Sequence, residues 1–205
     1  MLIEINPYNI DQRIIKDCVN KLRQGEVIIY PTDSVYAMGC DLESKKGLDK
    51  LAEFKNVKLK KSQFSIICSD LSDVSNYVKQ IDRPTFKLLK SSLPGPFTFV
   101  MNATNDVSRL FGTNRKEIGI RIPNNEIILA IVKELGNPIA TTSLHDDDDV
   151  LMEYFTDPYE IYQRWDEKVD YIIDGGMGKL EATTVVDCTG SEPEILRQGA
   201  GEINL

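Results

Sequence analysis

Histidine occurs once in this chain, at position 145. A catalytic triad or a zinc site built on histidine therefore has almost nothing to draw on. Cysteine is sparse as well: Cys18, Cys40, Cys68 and Cys188 stand far apart with no CxxC pair. That spacing excludes a disulfide framework and a zinc ribbon. Cys68 and Cys188 lie in apolar runs, where a small buried thiol is the ordinary outcome. No apolar run reaches the roughly 18 residues of a membrane span. The first residues lack a basic segment followed by an apolar one, so no secretory signal is expected. These absences predict a cytoplasmic protein with no membrane association. Excess positive charge is lacking too, the net charge being −8. A surface that grips nucleic acid all over is thereby excluded, whereas a local basic groove is not.

What is present suits one domain. At 205 residues the chain is long enough to bury a real core, and 41% hydrophobic with 27% charged residues is ordinary for a globular protein. Repeats, low-complexity stretches and linkers are absent. Charge is uneven: Lys55, Lys58, Lys60 and Lys61 crowd one loop, and four aspartates at 146–149 crowd another. Either can be a solvated face. One of the aspartates could also meet Mg²⁺ carried by a nucleotide.

Ile10, Ile14, Cys18 and Leu22 recur every four residues and predict a helix over 10–24, capped by Asn9 or Asp11 and ended by Gly25. Val27 to Tyr30 is a short β-favouring run that Pro31 stops, because proline has no N–H for a ladder. A second helix follows near 45–54, and then a polar loop over 55–63 with little to anchor it. Further strands are predicted at 64–68, 97–101, 118–122, 138–143, 170–173, 183–188 and 194–197. Helices are predicted at 83–91, 125–135 and 157–167. Gly175, Gly176 and Gly178 mark a turn and not a phosphate loop, since no helix opening with Lys-Ser/Thr follows. Many strands with interspersed helices imply a mixed, twisted sheet in one α/β domain.

Several strands end in hydroxyl-bearing or basic residues: Thr32 and Ser34, Thr141 to Ser143, Thr183 and Thr184, Arg121, and Arg197. If these ends converge, they form a pocket for a small zwitterion beside a phosphate-bearing partner, because arginine grips carboxylate or phosphate with a two-toothed fork. Thr183 and Thr184 are equally good as plain strand residues, and Arg121 as a solvent-facing one. Pro-Thr-Asp-Ser at 31–34 is also ordinary turn chemistry.

The segment "YPTDSVYAMGC" at 30–40 resembles the opening signature of the YrdC/YciO superfamily, the threonylcarbamoyl-AMP synthase family. "LPGPFTFVM", "IGIRIP", "PIATTS", "TTVVDCT" and "ILRQGAG" resemble its later segments, in order. The resemblance implies one YrdC-like α/β domain over 1–205, with a twisted mixed sheet, flanking helices and a concave positive surface. It implies condensation of L-threonine, bicarbonate and ATP, with Mg²⁺ on the nucleotide, to threonylcarbamoyl-AMP and pyrophosphate for the t⁶A modification of tRNA. Thr32, Tyr36, Arg121, Thr141 and Thr183 would border the threonine. Ser143 and Arg197 would contact the nucleotide. No catalytic residue or resident metal is implied, since such a site works by positioning its reactants.

Two segments depart from the synthase pattern. Its Lys-x-Arg-Pro is Lys55-Asn56-Val57-Lys58 here, and its Ser-x-Asn is Ser143-Leu144-His145. Lys55, Lys58 and His145 would take those nucleotide-side places, the lysines as point charges and not forks. Together with "FSIIC" at 64–68, these departures resemble the YciO branch. A second function follows from them: a YciO-type protein holding double-stranded RNA or tRNA without efficient turnover. A third, carbamoyl transfer as in hydrogenase maturation proteins, lacks the attached segments it needs. Oligomeric state is not legible.

Overall fold

The computed structural model describes residues 1–144 and 155–205; His145 and the aspartates at 146–149 lie outside the described residues. Chain order is β1 (Leu2–Glu4), α1 (Gln12–Arg23), β2 (Ile28–Tyr30), β3 (Ala37–Asp41), α2 (Lys45–Phe54), β4 (Ser65–Ile67) and α3 (Leu71–Val74). There follow α4 (Arg83–Ser92), β5 (Phe97–Asn102), α5 (Asn105–Phe111), β6 (Glu117–Arg121), α6 (Glu126–Leu135), β7 (Ile139–Ser143), α7 (Pro158–Trp165), β8 (Tyr171–Asp174), β9 (Thr184–Asp187) and β10 (Glu194–Arg197). The described strands form one mixed sheet in the order β1-β8-β2-β3-β7-β4-β6-β5-β9-β10. This is the mixed α/β architecture that the strand and helix pattern implies. No described helix is long and apolar enough to cross a membrane.

Local chemistry sets the helix ends. Asp11 caps α1, its carboxylate accepting from Arg13 N at 2.9 Å. Asn125 caps α6 by accepting from Ile127 N and Ile128 N. Gly136 closes α6 in the left-handed region at φ 85°, where a side chain would be strained. Each such cap stabilises its helix by about 1 kcal/mol.

The strands alternate, and the alternation decides where a site can be. Ile66, Phe99, Ile118, Ile120, Ala140 and Val186 point to one face and join the larger core with α2, α4, α5 and α7. The opposite face is covered over β8 and β2 by α1 and α6, through Ile15, Cys18, Leu22, Ile127, Ile128 and Ile131. Over β7, β4, β6, β5 and β9 that same face bears Ser143, Thr141, Ser65, Gly119, Thr98 and Thr183, which line an open cavity. A strand face with no helix over it has no need of large apolar side chains.

Candidate substrate site

The cavity encloses about 540 Å³, in the range of small-ligand pockets. Its floor is made of small residues for a steric reason. A Cβ on Gly119 would collide with Ser65 Oγ and crowd Thr98 Cγ2 at 3.1 Å. Glycine therefore keeps the middle of the floor low.

One wall is the loop that follows β2. Thr32 Oγ1 donates to Val35 O at 2.7 Å and accepts from Ser34 N at 3.0 Å, which folds Pro31-Thr-Asp-Ser34 into a tight turn. The turn delivers three oxygen acceptors to Arg121, at the end of β6. Arg121 Nη2 donates to Ser34 Oγ at 3.2 Å, to Asp33 Oδ1 at 3.3 Å and, at 3.5 Å, to Thr32 Oγ1. Asp33 is itself fixed, its Oδ2 accepting from Asn124 N at 2.8 Å. Burial pushes the Arg121 guanidinium below its ordinary pKa, and the Asp33 carboxylate opposes that shift. Arg121 Nε is buried with no hydrogen-bond partner among the described residues. A buried donor left unpaired costs about 1–3 kcal/mol, so this nitrogen calls for an acceptor.

The opposite wall is β9 and β10. Arg197 pairs with Val185, and Val185 with Thr98. The antiparallel register of β5 on β6 brings Thr98 level with Arg121. Arg197 and Arg121 thus end one row across four strands, with Val185 and Thr98 as the floor between them. Arg197 is held by Thr183: Nε and Nη2 donate to Thr183 O at 3.2 and 2.9 Å. Thr183 Oγ1 lies 2.8 Å from Thr98 Oγ1. Two guanidiniums facing one polar floor suit an anionic ligand with more than one charged group.

The structure brings Arg121, Thr141, Ser143, Thr183 and Arg197 into this cavity and sets Thr32 directly behind Arg121. Thr141 turns its hydroxyl inward. It donates to Met38 O at 3.3 Å and receives the Tyr30 hydroxyl at 2.6 Å. Burial holds the Tyr30 phenol well above its ordinary pKa, so it stays a neutral donor. Tyr36 does not line the cavity. Its ring is in the larger core, and its hydroxyl donates to Gly176 O at 2.7 Å. It ties the glycine turn at 175–178 to β3. Lys55 ends α2 and Lys58 is exposed at the start of a 3-10 turn, both outside the lining, which on this segment begins at Ser62. The lining also includes Arg115, which carries no periodicity or motif; its contacts are with residues more than fifty positions away. Among the described residues no group of His, Cys, Asp and Glu gathers that could hold a metal ion.

Comparison with known proteins gives a consistent result. The Sua5/YciO/YrdC family model, which carries the description telomere recombination, matches residues 20–199. The chain is 38% identical to the uncharacterized protein YciO of Escherichia coli over 200 residues, 97% of this chain and 95% of YciO. The crystal structure of E. coli YciO superposes with a TM-score of 0.88, covering 98% of this chain and 97% of YciO. A threonylcarbamoyl-AMP synthase from Photobacterium profundum is 27% identical over 187 residues, 90% of this chain and 98% of the synthase. P. abyssi Sua5 complexed with L-threonine has a TM-score of 0.87 at 24% identity, over 97% of this chain and 57% of Sua5, a likeness of fold. On the match of the family model and the identity to YciO, the chain belongs to the Sua5/YciO/YrdC family.

Proposed function

We propose that the protein is a threonylcarbamoyl-AMP synthase-like nucleotidyltransferase, condensing L-threonine, bicarbonate and ATP to threonylcarbamoyl-AMP and pyrophosphate. The observation that carries this reading is the buried, unpartnered Nε of Arg121. A carboxylate accepting from it would form the fork that the Thr32–Ser34 turn leaves half used. Threonine supplies that carboxylate, and the neighbouring hydroxyls orient its amine. The amine joins the carbonyl carbon of bicarbonate with loss of water. A carbamate oxygen then bonds to the α-phosphorus as pyrophosphate leaves. Ser143 and Arg197 face the nucleotide. Mg²⁺ enters on the phosphates of ATP as part of the substrate. Holding reactants in line is the protein's main contribution, worth several kcal/mol in such reactions.

The test is an assay with labelled threonine, bicarbonate, ATP and Mg²⁺, beside a working synthase control. A nucleotide-dependent threonylcarbamoyl-adenylate is expected, destined for t⁶A in tRNA; its absence contradicts the reading. Exposed Lys58, Lys60 and Lys61 favour a second reading, in which tRNA or double-stranded RNA is held without turnover. That reading requires RNA affinity that falls steeply with salt.

A further inference from the structure

The 55–58 segment lacks an arginine, yet a guanidinium is fastened to the chain a few residues further on, at Ser62 and Phe64. Arg115 lies just before β6, at the end of the floor away from Arg121. Six residue steps separate the two arginines, roughly 20 Å if the chain is extended. Arg115 Nη1 donates to Phe64 O at 2.8 Å, and Nη2 donates to Ser62 O, with Ser62 Oγ 3.3 Å away. The guanidinium carbon sits 4.1 Å from the centre of the Phe111 ring. Desolvation pushes the Arg115 pKa down to about 10, and no charged group among the described residues offsets that cost. Its hydrogen-bond partners are all neutral oxygens. Nε makes no hydrogen bond to the described residues. Arg121, by contrast, has the Asp33 carboxylate at 3.3 Å. Arg115 is thus a fixed, half-desolvated cation that lines the cavity with no ion-pair partner among the described residues, although the carboxylate of Glu117 lines the same cavity; such a cation can recruit an anion.

We propose that Arg115 binds the β- and γ-phosphates of the nucleotide, supplying the guanidinium that Lys55-Asn-Val-Lys58 lacks. The proposal rests on the synthase reading of the cavity. As the carbamate oxygen bonds to the α-phosphorus, the bond from the α-phosphorus to the bridging oxygen breaks. Its electron pair leaves on pyrophosphate, and Arg115 faces that growing charge. The clamp on Ser62 and Phe64 holds the guanidinium still while this happens, so less ordering is needed on binding.

Calorimetric titration with inorganic tripolyphosphate and, separately, L-threonine tests the assignment without requiring turnover. Arg115→Gln retains an N–H donor for the two carbonyls and removes the charge. Saturable tripolyphosphate binding is expected in the unaltered protein, weakened about ten-fold or more in Arg115→Gln. L-threonine affinity is expected to change by less than about two-fold, since its fork lies at the other end of the floor. Thermal melts identify a variant that fails to fold. Arg115→Lys, which keeps the charge without the fork, then carries the test with about a three- to ten-fold weakening for tripolyphosphate. Unchanged tripolyphosphate binding in the folded variants, no binding in the unaltered protein, or a parallel loss of threonine affinity overturns the proposal. A loss of tripolyphosphate binding in Arg115→Gln, with no threonylcarbamoyl-adenylate formed by the unaltered protein, contradicts the synthase reading alone and upholds the phosphate assignment.

Discussion

Arg121 Nη2 stands 3.3 Å from Asp33 Oδ1, and both side chains are only 6% exposed. The carboxylate is a positioning group as much as a counter-charge. One of its oxygens faces the guanidinium, and the other is pinned by Asn124 N at 2.8 Å. The Thr32–Ser34 turn and the residues leading into α6 are thereby joined through one charged pair, and Arg121 Nε is left without a hydrogen-bond partner among the described residues.

Removing Asp33 should therefore cost stability as well as geometry. Asp33→Ala leaves a buried cation without its partner, which costs about 3–5 kcal/mol. Urea denaturation at neutral pH measures it. A loss below about 1 kcal/mol would mean that water already reaches Arg121 and that the pair is in effect exposed.

Tyr30→Phe deletes the hydroxyl that donates to Thr141 Oγ1 at 2.6 Å. The cost is about 1–2 kcal/mol for the unpaired buried acceptor. In a chain of this length that lowers Tm by about 2–8 °C. The measurement is a thermal melt, and an unchanged Tm contradicts the donor assignment.

Gly119→Ala sets a Cβ against Ser65 Oγ. Overpacking of this kind destabilises by about 1–3 kcal/mol. Adding Ser65→Ala removes the colliding atom, so the double variant should recover part of the loss. Non-additive melting temperatures across the four proteins show the coupling; additive ones would mean that the two positions do not share the floor.

Much of the architecture was legible in the chain, and the failures have physical causes. The four-residue spacing of apolar positions marks α1 and α6 because each presents one stripe to a core. β3 was not legible: all of Ala37–Asp41 is buried, so no alternation appears, and Gly39 sits in its middle. β1 and α5 are too short to carry a periodic signal. Within the site, Arg121, Thr183 and Arg197 could be named because they end strands. The inward turn of Thr141 depends on Tyr30, 111 residues away, and no local pattern encodes it. Tyr36 reads like a site residue because it closely follows the polar turn at Thr32–Ser34; in the fold its ring is core. No local pattern marks Arg115 either, since its partners, Ser62 and Phe64, precede it by more than fifty residues.

Acid should weaken the fold through Glu26. Lys46 and Lys50 hold its carboxyl at a pKa of about 2, against an ordinary 4.5. The folded value is depressed, so this stability is fully present above pH 4.5 and is lost as pH falls from about 4.5 towards 2. Urea midpoints at pH 7, 4 and 3 should fall less in Glu26→Gln than in the unaltered protein. Parallel curves would mean that other carboxylates dominate acid unfolding.

Titrating L-threonine into the protein by calorimetry, with and without ATP and Mg²⁺, tests most directly whether the uncovered sheet face is the substrate site. Saturable binding is expected in the unaltered protein. In Arg121→Lys, which keeps a charge and loses the fork, the affinity should fall about ten-fold or more. No saturable heat under either condition, or equal affinity in the two proteins, contradicts the assignment of Arg121 to the amino-acid carboxylate.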